Sequence, residues 1–357
     1  MNLVHIMQNC VEIKDTLNLL KVREEINKVL NEPSLYSDMP RKSYKQRKKE
    51  NWQWYFKNKE ACVYYNSYGF DIEGFRNQDD YIPYRQFRIE RFRENLRTFS
   101  QVKYDNKLCI LRDKITFSAY FGTLLGEKYV VKSVGKIFSD GKVFNLGKNS
   151  YTTLSELLKQ HDRLFLKKMN GECGEGCYLI DSETALDEFE KTAAGSEYLI
   201  QDVLLQHDAI NEINASCINT VRIITIAKSG EPKVFAHYMR FGGGDAINDN
   251  RATGGMGVAI SDDGKLQKVG VGHHAVSEIH PKSKAVYYGR EIPFWNEVKE
   301  LVVNAHRLIP EIPTIGWDVA ITPDGPVLIE GNDNWEISGA QDTTGGLKKK
   351  WYELRKK

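Results

Sequence analysis

The pattern of hydrophobic and polar residues divides the chain into two regions. Roughly the first hundred residues hold few glycines, many charges and many aromatic side chains. Within them, residues 13–30 and 84–96 repeat apolar positions at helical spacing, which predicts amphipathic helices. Beyond residue 105, short strand-like runs alternate with helical ones. We therefore predict a mostly helical region over residues 1–105 and a mixed region over residues 106–357.

The second region is predicted to consist of β-hairpins with intervening helices. Runs rich in β-branched and aromatic residues predict strands at 163–167, 197–201, 220–227, 233–241, 317–321 and 326–330. Turn signals that contain Gly lie at 228–231, 262–264 and 323–325. Helical spacing marks residues 153–161, 182–194 and 294–308. Strands joined by such turns pair antiparallel, so the expected fold class is α+β and not a doubly wound parallel sheet.

Composition and charge narrow the class of protein without naming a partner. The chain has 357 residues, 41% hydrophobic and 27% charged, as in ordinary globular proteins. Its net charge of only +2 predicts no nucleic-acid partner. The six cysteines form no Cys-x-x-Cys pair and are expected to be reduced thiols. Because neither a signal peptide nor a spanning segment is recognised, the expected location is the cytoplasm.

One basic run stands apart from this balance of charge. Residues 41–49 read Arg-Lys-Ser-Tyr-Lys-Gln-Arg-Lys-Lys. The simpler interpretation is the solvated face of a helix. The alternative is a contact surface for anionic lipid or for a phosphate-bearing substrate.

The most informative segment is the predicted hairpin at residues 316–332, in which two apolar strands flank a Pro-Asp-Gly turn. A turn centred on Asp324 places Asp318 opposite Glu330, with Cβ atoms roughly 5 Å apart on one face. Asn332 returns to that face, because side chains alternate with a period of two. Two carboxylates and an amide oxygen at one point predict a Mg²⁺ site. The alternative is two charged strand ends on opposite faces, which a one-residue slip in register would produce.

A glycine-rich loop follows the predicted strand at 163–167. Gly171, Gly174 and Gly176 allow positive φ angles and close backbone approach, so that amides can face phosphate oxygens. Lys167 adds a point charge at the end of that strand. Because a strand follows the loop, the pattern is neither a Walker loop nor a Rossmann fingerprint. A plain glycine-rich hairpin is the alternative.

Three further segments carry polar groups suited to a nucleotide. The strand at 197–201 runs into a polar pair, where backbone groups suit an adenine edge, although a plain edge strand is the alternative. Arg222 and Arg240 lie in apolar strands, where they either form structural salt bridges or face a triphosphate. The loop at 249–257, which contains Asn250 and three glycines, supplies flexible polar donors to cover phosphates or order a substrate carboxylate.

The order of these features resembles the ATP-grasp superfamily, whose ligases include the D-alanine–D-alanine and ribosomal-protein glutamate ligases. More narrowly, the chain resembles the sugar-transfer-associated ATP-grasp family found with bacterial surface-polysaccharide genes. The closer match rests on residues 216–222, 316–320 and 328–332 together with Gln341, and spans about residues 105–350. It implies an ATP-grasp fold, in which two α+β subdomains clasp ATP between antiparallel sheets, with a lid subdomain at approximately 145–202.

The resemblance also implies roles for individual residues by position. The implied nucleotide-binding residues are Lys114, Lys167, the three loop glycines, the adenine hinge Gln201, Asp202, Val203 and Leu204, and a ribose contact among Gln206, His207 and Asp208. The implied magnesium ligands are Asp318, Glu330 and Asn332, and the implied catalytic residues are Arg240, Arg222 and Asn250. Lys168 replaces the proline of many members, and Asn219-Thr220-Val221-Arg222 replaces an Asp-x-Arg pattern.

The function that this resemblance implies is an ATP- and Mg²⁺-dependent carboxylate–amine ligase. A carboxylate attacks the γ-phosphate to give ADP and an acyl phosphate, and an amine then forms an amide. The expected substrate is a sugar acid or related acyl group of a capsule or other surface polysaccharide. The alternatives are a phosphotransferase with a hydroxyl acceptor, or a non-catalytic nucleotide-binding module. We interpret His273, His274 and His280 as surface-loop residues, with a place on the acceptor side of the site as the alternative. His306 is interpreted as a packed helix residue and not a catalytic one.

Overall fold

The computed structural model describes residues 19–101, 107–169, 171, 176–193, 195–227, 230–243, 248–250, 254–273 and 275–356, with backbone alone for 95–101. The helices are α1 Leu19–Asn31, α2 Tyr44–Asn58, α3 Tyr84–Gln101, α4 Leu108–Arg112, α5 Lys114–Leu125, α6 Leu154–His161, α7 Glu183–Thr192, α8 Asp208–Asn211, α9 Trp295–Arg307, α10 Ile337–Thr344 and α11 Lys348–Leu354. Short 3₁₀ turns lie at Gln78–Asp80 and Glu127–Tyr129.

The strands follow the helical segment in chain order. They are β1 Ser133–Ile137, β2 Val143–Asn145, β3 Ser150–Thr152, β4 Leu164–Lys168, β5 Cys177–Ile180, β6 Tyr198–Asp202, β7 Thr220–Ile226, β8 Lys233–Phe241, β9 Met256–Ile260, β10 Leu266–Val271, β11 Val276–Ser277, β12 Thr314–Thr322 and β13 Gly325–Asn332. Each strand predicted from the sequence is present, within a few residues of its predicted ends. Antiparallel sheets with helices confirm the predicted α+β class and the N-terminal helical region.

The chain divides into two compact units. The helical unit comprises Met1–Glu94, His274–Val276 and Glu336–Glu353, and the sheet unit comprises Asn95–His273, Ser277–Trp335 and Leu354–Lys357. The predicted boundary near residue 105 and the lid at 145–202 stay predictions. In the described part of the chain, no helix combines the length and the apolar character needed to cross a bilayer.

A six-stranded sheet in the sheet unit carries the glycine-rich loop. Its strand order is β3-β2-β1-β6-β4-β5, and β4 pairs antiparallel with both β5 and β6. Leu164 and Leu166 alternate inward along β4 and pack with Leu157 of α6 and Phe189 of α7. Helix α6 begins with a capping box, in which Thr153 and Glu156 satisfy each other's backbone amides. This packing fixes the strand that ends at the loop.

The second sheet has seven strands and holds most of the candidate site. Its order is β11-β10-β9-β8-β7-β12-β13, and β12 pairs antiparallel with β7 on one side and β13 on the other. Every residue of β12 is buried, because α9 packs on the sheet through side chains such as Val298, Val302 and Ala305. A polar side chain on β12 is therefore costly unless it is partnered.

The helical unit is built around aromatic side chains and paired polar groups. Tyr65, Tyr68, Phe70 and Tyr81 form one buried cluster with Trp54 of α2. The family-matching residue Gln341 is fully buried here, and its amide exchanges hydrogen bonds of 2.8 and 3.2 Å with the backbone of Ile82. The observed place of Gln341 is thus in the packing of this unit.

The basic run at 41–49 is only partly the solvated helix face that we predicted. Arg41 pairs with the buried Asp71 at 2.9 Å, and Lys42 pairs with Glu50 at 3.0 Å. Arg47 is buried and donates to the carbonyl of Leu30 at 3.0 Å, which contradicts a solvated position. Three lysines of the run, Lys45, Lys48 and Lys49, are exposed.

Candidate active site

The β12–β13 hairpin places Asp318 directly opposite Glu330, as predicted, but for a different reason. The turn residues are Pro323 and Asp324, since Thr322 pairs with Gly325. That register alone would bring Ile329 opposite Asp318. A β-bulge at Ile329 shifts the pairing by one residue and brings Glu330 to that position.

Asp318 accepts hydrogen bonds from two guanidinium groups on neighbouring strands. Arg222 of β7 is its cross-strand partner and donates through Nε and through Nη2, the latter at 2.9 Å. Arg240 of β8 donates from Nη1 to Asp318 at 3.0 Å and from Nη2 to Asp249 at 2.7 Å. Asp249 in turn accepts from the backbone amide of Thr220 at 3.0 Å. The strand arginines therefore form ion pairs around Asp318.

The two facing carboxylates differ in their electrostatic setting. Burial opposes ionisation of Asp318, but the charges of Arg222 and Arg240 outweigh it and hold its pKa below the usual range. Burial raises the pKa of Glu330, and the neighbouring Asp318 carboxylate raises it further. The two side chains share a hydrogen bond, and the Asn332 amide donates to Glu330 at 3.0 Å. The positive charges near Glu330 therefore do not offset the effects of burial and of the Asp318 carboxylate on its pKa.

This donor set fits Mg²⁺ better than an all-protein metal cage. Among the described residues, no group of three or more His, Cys, Asp and Glu side chains converges as a metal site. Asp318, Glu330 and Asn332 offer two carboxylates and an amide oxygen. A divalent cation can take the place of the proton that the two carboxylates share. Mg²⁺ uses one or two carboxylates and completes its shell with waters and phosphates.

Two lysines flank these carboxylates from other elements. Lys167 lies opposite Cys177 in the last residue pair between β4 and β5. Its pKa is affected by the charges of Glu330 and Lys114. Burial lowers the pKa of Lys167, and the Glu330 charge partly offsets that effect. Lys114 begins α5, which Asp113 caps at 2.7 Å through the amide of Thr116. Its ammonium donates to the carbonyl of Met169 at 2.9 Å, next to the glycine-rich loop.

The glycine-rich loop is only partly described. Gly176 has a φ of +68°, and a Cβ there would lie 2.8 Å from the Cβ of Lys168, so glycine is required. Gly171 follows Met169, and its carbonyl lies 3.4 Å from the Lys114 ammonium. Gly174 lies outside the described residues. The cradle of amides stays a prediction.

The loop at 249–257 is held by close backbone approach. A Cβ on Gly243 would lie 1.6 Å from the carbonyl oxygen of Gly254, so no larger residue fits. The Gly255 amide donates to the Asn250 carbonyl at 3.0 Å. Asn250 is half-buried, directly after Asp249, and its catalytic role stays a prediction.

The predicted adenine hinge lies where β6 ends. Gln201 is buried, and its side-chain oxygen has no hydrogen-bond partner among the described residues. The carboxylate of Asp202 pairs with His161 at 2.7 Å and lies 3.7 Å from Lys132. Val203 and Leu204 are half-buried in the segment that follows. An unmatched buried acceptor at a strand end suits a ligand donor.

The three candidates for a ribose contact differ in the hydrogen bonds that their side chains already form within the protein. Gln206 is buried and accepts from the backbone and side chain of Asn219 at 2.7 and 2.9 Å, so it is a structural residue. His207 caps α8 through Nδ1, which accepts from the amide of Ala209 at 3.1 Å. Asp208 is exposed at the start of α8.

The histidines confirm one interpretation and contradict another. His306 is fully buried between Thr225 and the carbonyl of Ile312, as expected for a packed helix residue. His280 is also fully buried and bonds the carbonyl of Gly242 at 2.7 Å, so its interpretation as a surface-loop residue is wrong. His273 is exposed, and His274 lies outside the described residues.

Two features of the site escaped the sequence-based argument. Asp249 was treated only as part of a flexible loop, yet it is buried and binds Arg240. Asn219 was noted only as a departure from a family pattern, yet it joins Gln206, Asn214 and the amide of Gly242 beneath the site. A run of Asn and Gln between two apolar strands was the available signal, since such residues are rarely buried without partners.

The sequence matches a known family over most of its length. The model of the family described as "Sugar-transfer associated ATP-grasp" matches residues 95–351. The chain therefore belongs to the sugar-transfer associated ATP-grasp family, and its fold is an ATP-grasp fold. No curated protein matches the sequence significantly.

Solved ATP-grasp structures are similar at low identity. An ADP complex of N5-carboxyaminoimidazole ribonucleotide synthetase shares 15% identity with a TM-score of 0.39, covering 65% of this chain and 47% of its own. The ATP-grasp ligase PsnB, complexed with a minimal precursor, Mg and ADP, shares 12% identity with a TM-score of 0.40, covering 71% and 62%. The D-alanine–D-alanine ligase from Coxiella burnetii shares 12% identity with a TM-score of 0.37, covering 69% and 57%. The chain spans less than two thirds of each of these structures.

Proposed function

We propose that this protein is an ATP- and Mg²⁺-dependent carboxylate–amine ligase that works through an acyl phosphate. The observation that carries the proposal is the pair Asp318–Glu330, which places a buried and a half-buried carboxylate together beside two arginines. A like-charged pair shielded from water is unfavourable unless a cation joins it. An ATP-grasp chain with this pair has the residues for nucleotide chemistry.

Each group of side chains has a distinct role in the proposal. Asp318, Glu330 and Asn332 would hold Mg²⁺, which supplies charge neutralisation for the β- and γ-phosphates. Lys167 and Lys114 would bind phosphate oxygens from the glycine-rich loop. The segment from Gln201 to Leu204 would bind adenine, with His207 or Asp208 at the ribose. The protein contributes position and charge in such a transfer, and no covalent nucleophile is required.

The two arginines would serve the acyl substrate and the transferred phosphoryl group. A carboxylate oxygen of the substrate forms a bond to the γ-phosphorus, the bond from that phosphorus to the β-γ bridging oxygen breaks, and ADP leaves. An amine nitrogen then forms a bond to the acyl carbon, phosphate leaves, and the amine loses a proton. Arg240 would stabilise charge on the phosphoryl oxygens, and Arg222 and Asn250 would orient the carboxylate.

The proposed substrate is a sugar acid or a related acyl group of a surface polysaccharide. The family description, sugar-transfer associated, supports this class. The site's excess of Arg and Lys side chains suits an anionic substrate next to a triphosphate.

A trapping experiment tests the reaction type. The full chain is incubated with ATP, Mg²⁺, pooled sugar acids and hydroxylamine, and the expected product is a hydroxamate formed together with ADP. A phosphorylated hydroxyl acceptor without hydroxamate would establish a phosphotransferase, and nucleotide binding without either product would establish a binding module. The Glu330→Gln variant, expected to form no product, is the control.

One contact favours the ligase over the phosphotransferase. A phosphotransferase needs a general base near the γ-phosphate to accept a hydroxyl proton. A further carboxylate of this network is Asp249, and its oxygens accept hydrogen bonds from Arg240 at 2.7 Å and from Thr220 at 2.5 Å. Burial raises the pKa of Asp249, but both of its oxygens already accept hydrogen bonds and neither is open to a hydroxyl proton, whereas an ionised carboxylate substrate needs no base.

A further inference from the structure

One face of helix α2 carries exposed lysines and an exposed phenylalanine, next to Trp52, which packs partly against the core. Lys45, Lys48, Lys49, Trp52 and Phe56 recur at spacings of three and four residues, so they lie along one side of the helix. The three lysines are exposed, and Phe56 is 62% exposed. The rings of Trp52 and Phe56 lie 6.0 Å apart. The face is basic in its first half and aromatic in its second half.

The other basic residues of the same run have internal partners, which makes the three lysines distinct. Arg47 is buried against a backbone carbonyl, and Lys42 pairs with Glu50. In the described part of the chain, no carboxylate lies within ion-pair distance of Lys45, Lys48 or Lys49. The fold therefore explains Arg47 and Lys42 but not these lysines.

Helix stability does not explain them either. The first turn of α2 contains no acidic residue, and Lys45 lies within it. Cations near a helix N-terminus oppose the helix dipole and destabilise the helix. Ser43 caps the helix instead, accepting from the amide of Gln46 at 3.2 Å. Lys45 is therefore unfavourably placed for the helix, and it lies three and four residues from Lys48 and Lys49, where like charges repel. This arrangement points to an external anion.

We propose that this face of α2 docks on an anionic membrane surface. Lysines bind anionic head groups, and a neighbouring Trp–Phe pair suits the boundary between head groups and acyl chains. Tyr44, 50% exposed, extends the aromatic content at the other end of the helix. A polyanion without an apolar layer, such as nucleic acid, would use the lysines but leave Phe56 in water. The exposed Phe56 therefore favours a bilayer.

The strength of such docking can be bounded. Each lysine close to an anionic bilayer strengthens association by about fivefold, so three lysines contribute about a hundredfold. A short surface helix with this charge binds reversibly and does not anchor permanently. The proposal does not depend on the proposed ligase activity, since it concerns a different unit of the chain.

Vesicle sedimentation tests the proposal with the full chain. We expect wild-type protein to bind vesicles of equal phosphatidylcholine and phosphatidylglycerol, and not vesicles of phosphatidylcholine alone. Replacing Lys45, Lys48 and Lys49 together by Gln should weaken binding about a hundredfold. Phe56→Ser should weaken it about tenfold while leaving its dependence on salt unchanged.

A charge-matched control separates docking from a general effect of net charge. Lys148, Lys159 and Lys191 are exposed lysines of the sheet unit, and their triple Gln variant loses the same charge. The proposal is overturned if this control weakens binding as much, or if wild-type protein binds neutral vesicles equally. It is also overturned if duplex DNA displaces the vesicles and the Phe56→Ser variant binds them normally. The double variant of Lys48 and Lys49 serves where the triple variant unfolds, and should weaken binding about 25-fold.

Discussion

The helical unit and the sheet unit each bury a network of charges, and the two networks are built differently. In the helical unit, the fully buried Asp71 pairs with Arg41 at 2.9 Å, and the charges of both also act on the buried guanidinium of Arg47. In the sheet unit, Asp318 faces two guanidiniums and also a second carboxylate, that of Glu330. The first network has guanidinium groups around a single carboxylate, whereas the second also brings two carboxylates face to face.

This difference distinguishes a charge network that stabilises the fold from one that is suited to bind a cation. Burying an ion pair is tolerated when each charge has its partner, and removing one partner is costly. A carboxylate that faces another carboxylate gains nothing for the fold, and burial together with Asp318 raises the pKa of Glu330. Under the proposed function, we therefore expect Asp318 to serve both folding and binding, and Glu330 to serve binding alone.

The largest expected effect is on turnover, and a pair of variants tests the double role. Asp318→Asn and Glu330→Gln should each lower kcat by at least about a thousandfold, because each loses a charge needed against the triphosphate. Asp318→Asn should also lower the free energy of unfolding by about 3 kcal/mol or more, since Arg222 loses its carboxylate partner and Arg240 loses one of its two. Glu330→Gln should leave stability equal or higher, because it removes repulsion.

Denaturant unfolding and ATP turnover measured on both variants decide this point. Equal destabilisation of the two variants would contradict the division of roles. Wild-type turnover in either variant would remove the metal assignment. The Asn332→Asp variant sharpens the result, because a third carboxylate should strengthen Mg²⁺ binding and further raise the pKa of Glu330.

The next expected effect concerns the network of the helical unit. Arg41→Gln removes the guanidinium that hydrogen-bonds the buried Asp71 and should lower the free energy of unfolding by about 3 kcal/mol. Because this network has no pair of facing carboxylates to hold a cation, the affinity of the folded variant for ATP should stay within about twofold of the wild-type value. Calorimetry of ATP binding and denaturant unfolding measure the two quantities. A large loss of ATP affinity in the folded variant would make the helical network part of the binding machinery.

A third buried group of the sheet unit, His306, has a shifted pKa that we attribute to the fold and not to the candidate site. Burial lowers its pKa to about 4, and its neutral ring bonds Thr225 at 2.6 Å and the Ile312 carbonyl at 2.7 Å. Since the folded-state pKa lies below the unfolded value, its stabilisation is present above pH 6.5 and is lost as the pH falls towards 4. The loss should reach about 3 kcal/mol.

Urea unfolding between pH 7 and pH 4 measures this loss, and the matched variant is His306→Gln. The variant should be less stable at pH 7 but should show a shallower decline on acidification. An equally steep decline would assign the acid sensitivity to carboxylates instead. Turnover of the folded variant at pH 7 should stay near the wild-type value, because His306 contacts neither arginine of the site.

The sequence pattern predicted what depends on local periodicity and failed where distant contacts decide. Helical spacing located α9, and the turn at Pro323 located the hairpin, because both signals lie within a few residues. Helix α2 had no clear apolar stripe, since two of its buried positions are the polar Arg47 and Asn51. Arg47 donates to the carbonyl of Leu30 on α1, a contact that no local pattern predicts.

The same limit of sequence-based prediction applies to individual residues of the candidate site. Asp318 and Glu330 were correctly paired, yet the bulge at Ile329 that pairs them is set by competition among cross-strand hydrogen bonds and is invisible in composition. Arg222 and Arg240 were left between salt bridges and phosphate contacts, and the structure gives them salt bridges. The role of Asp249 depends on a contact with Thr220, 29 residues earlier in the chain, which no spacing rule could supply.

The smallest expected effect concerns Asp249, which extends the sheet network away from the like-charged pair. Asp249 holds Arg240 at 2.7 Å, so Asp249→Asn should leave the guanidinium in place but less firmly oriented. If the proposed ligase chemistry holds, kcat should fall about tenfold to a hundredfold while the affinity for ATP changes by less than about twofold, as for a group that acts in the transition state. Thr220→Val, which removes a hydroxyl from Asp249 and no charge, should cost about tenfold or less. A loss of ATP affinity in proportion to the loss of kcat would instead show that Asp249 contributes to nucleotide binding.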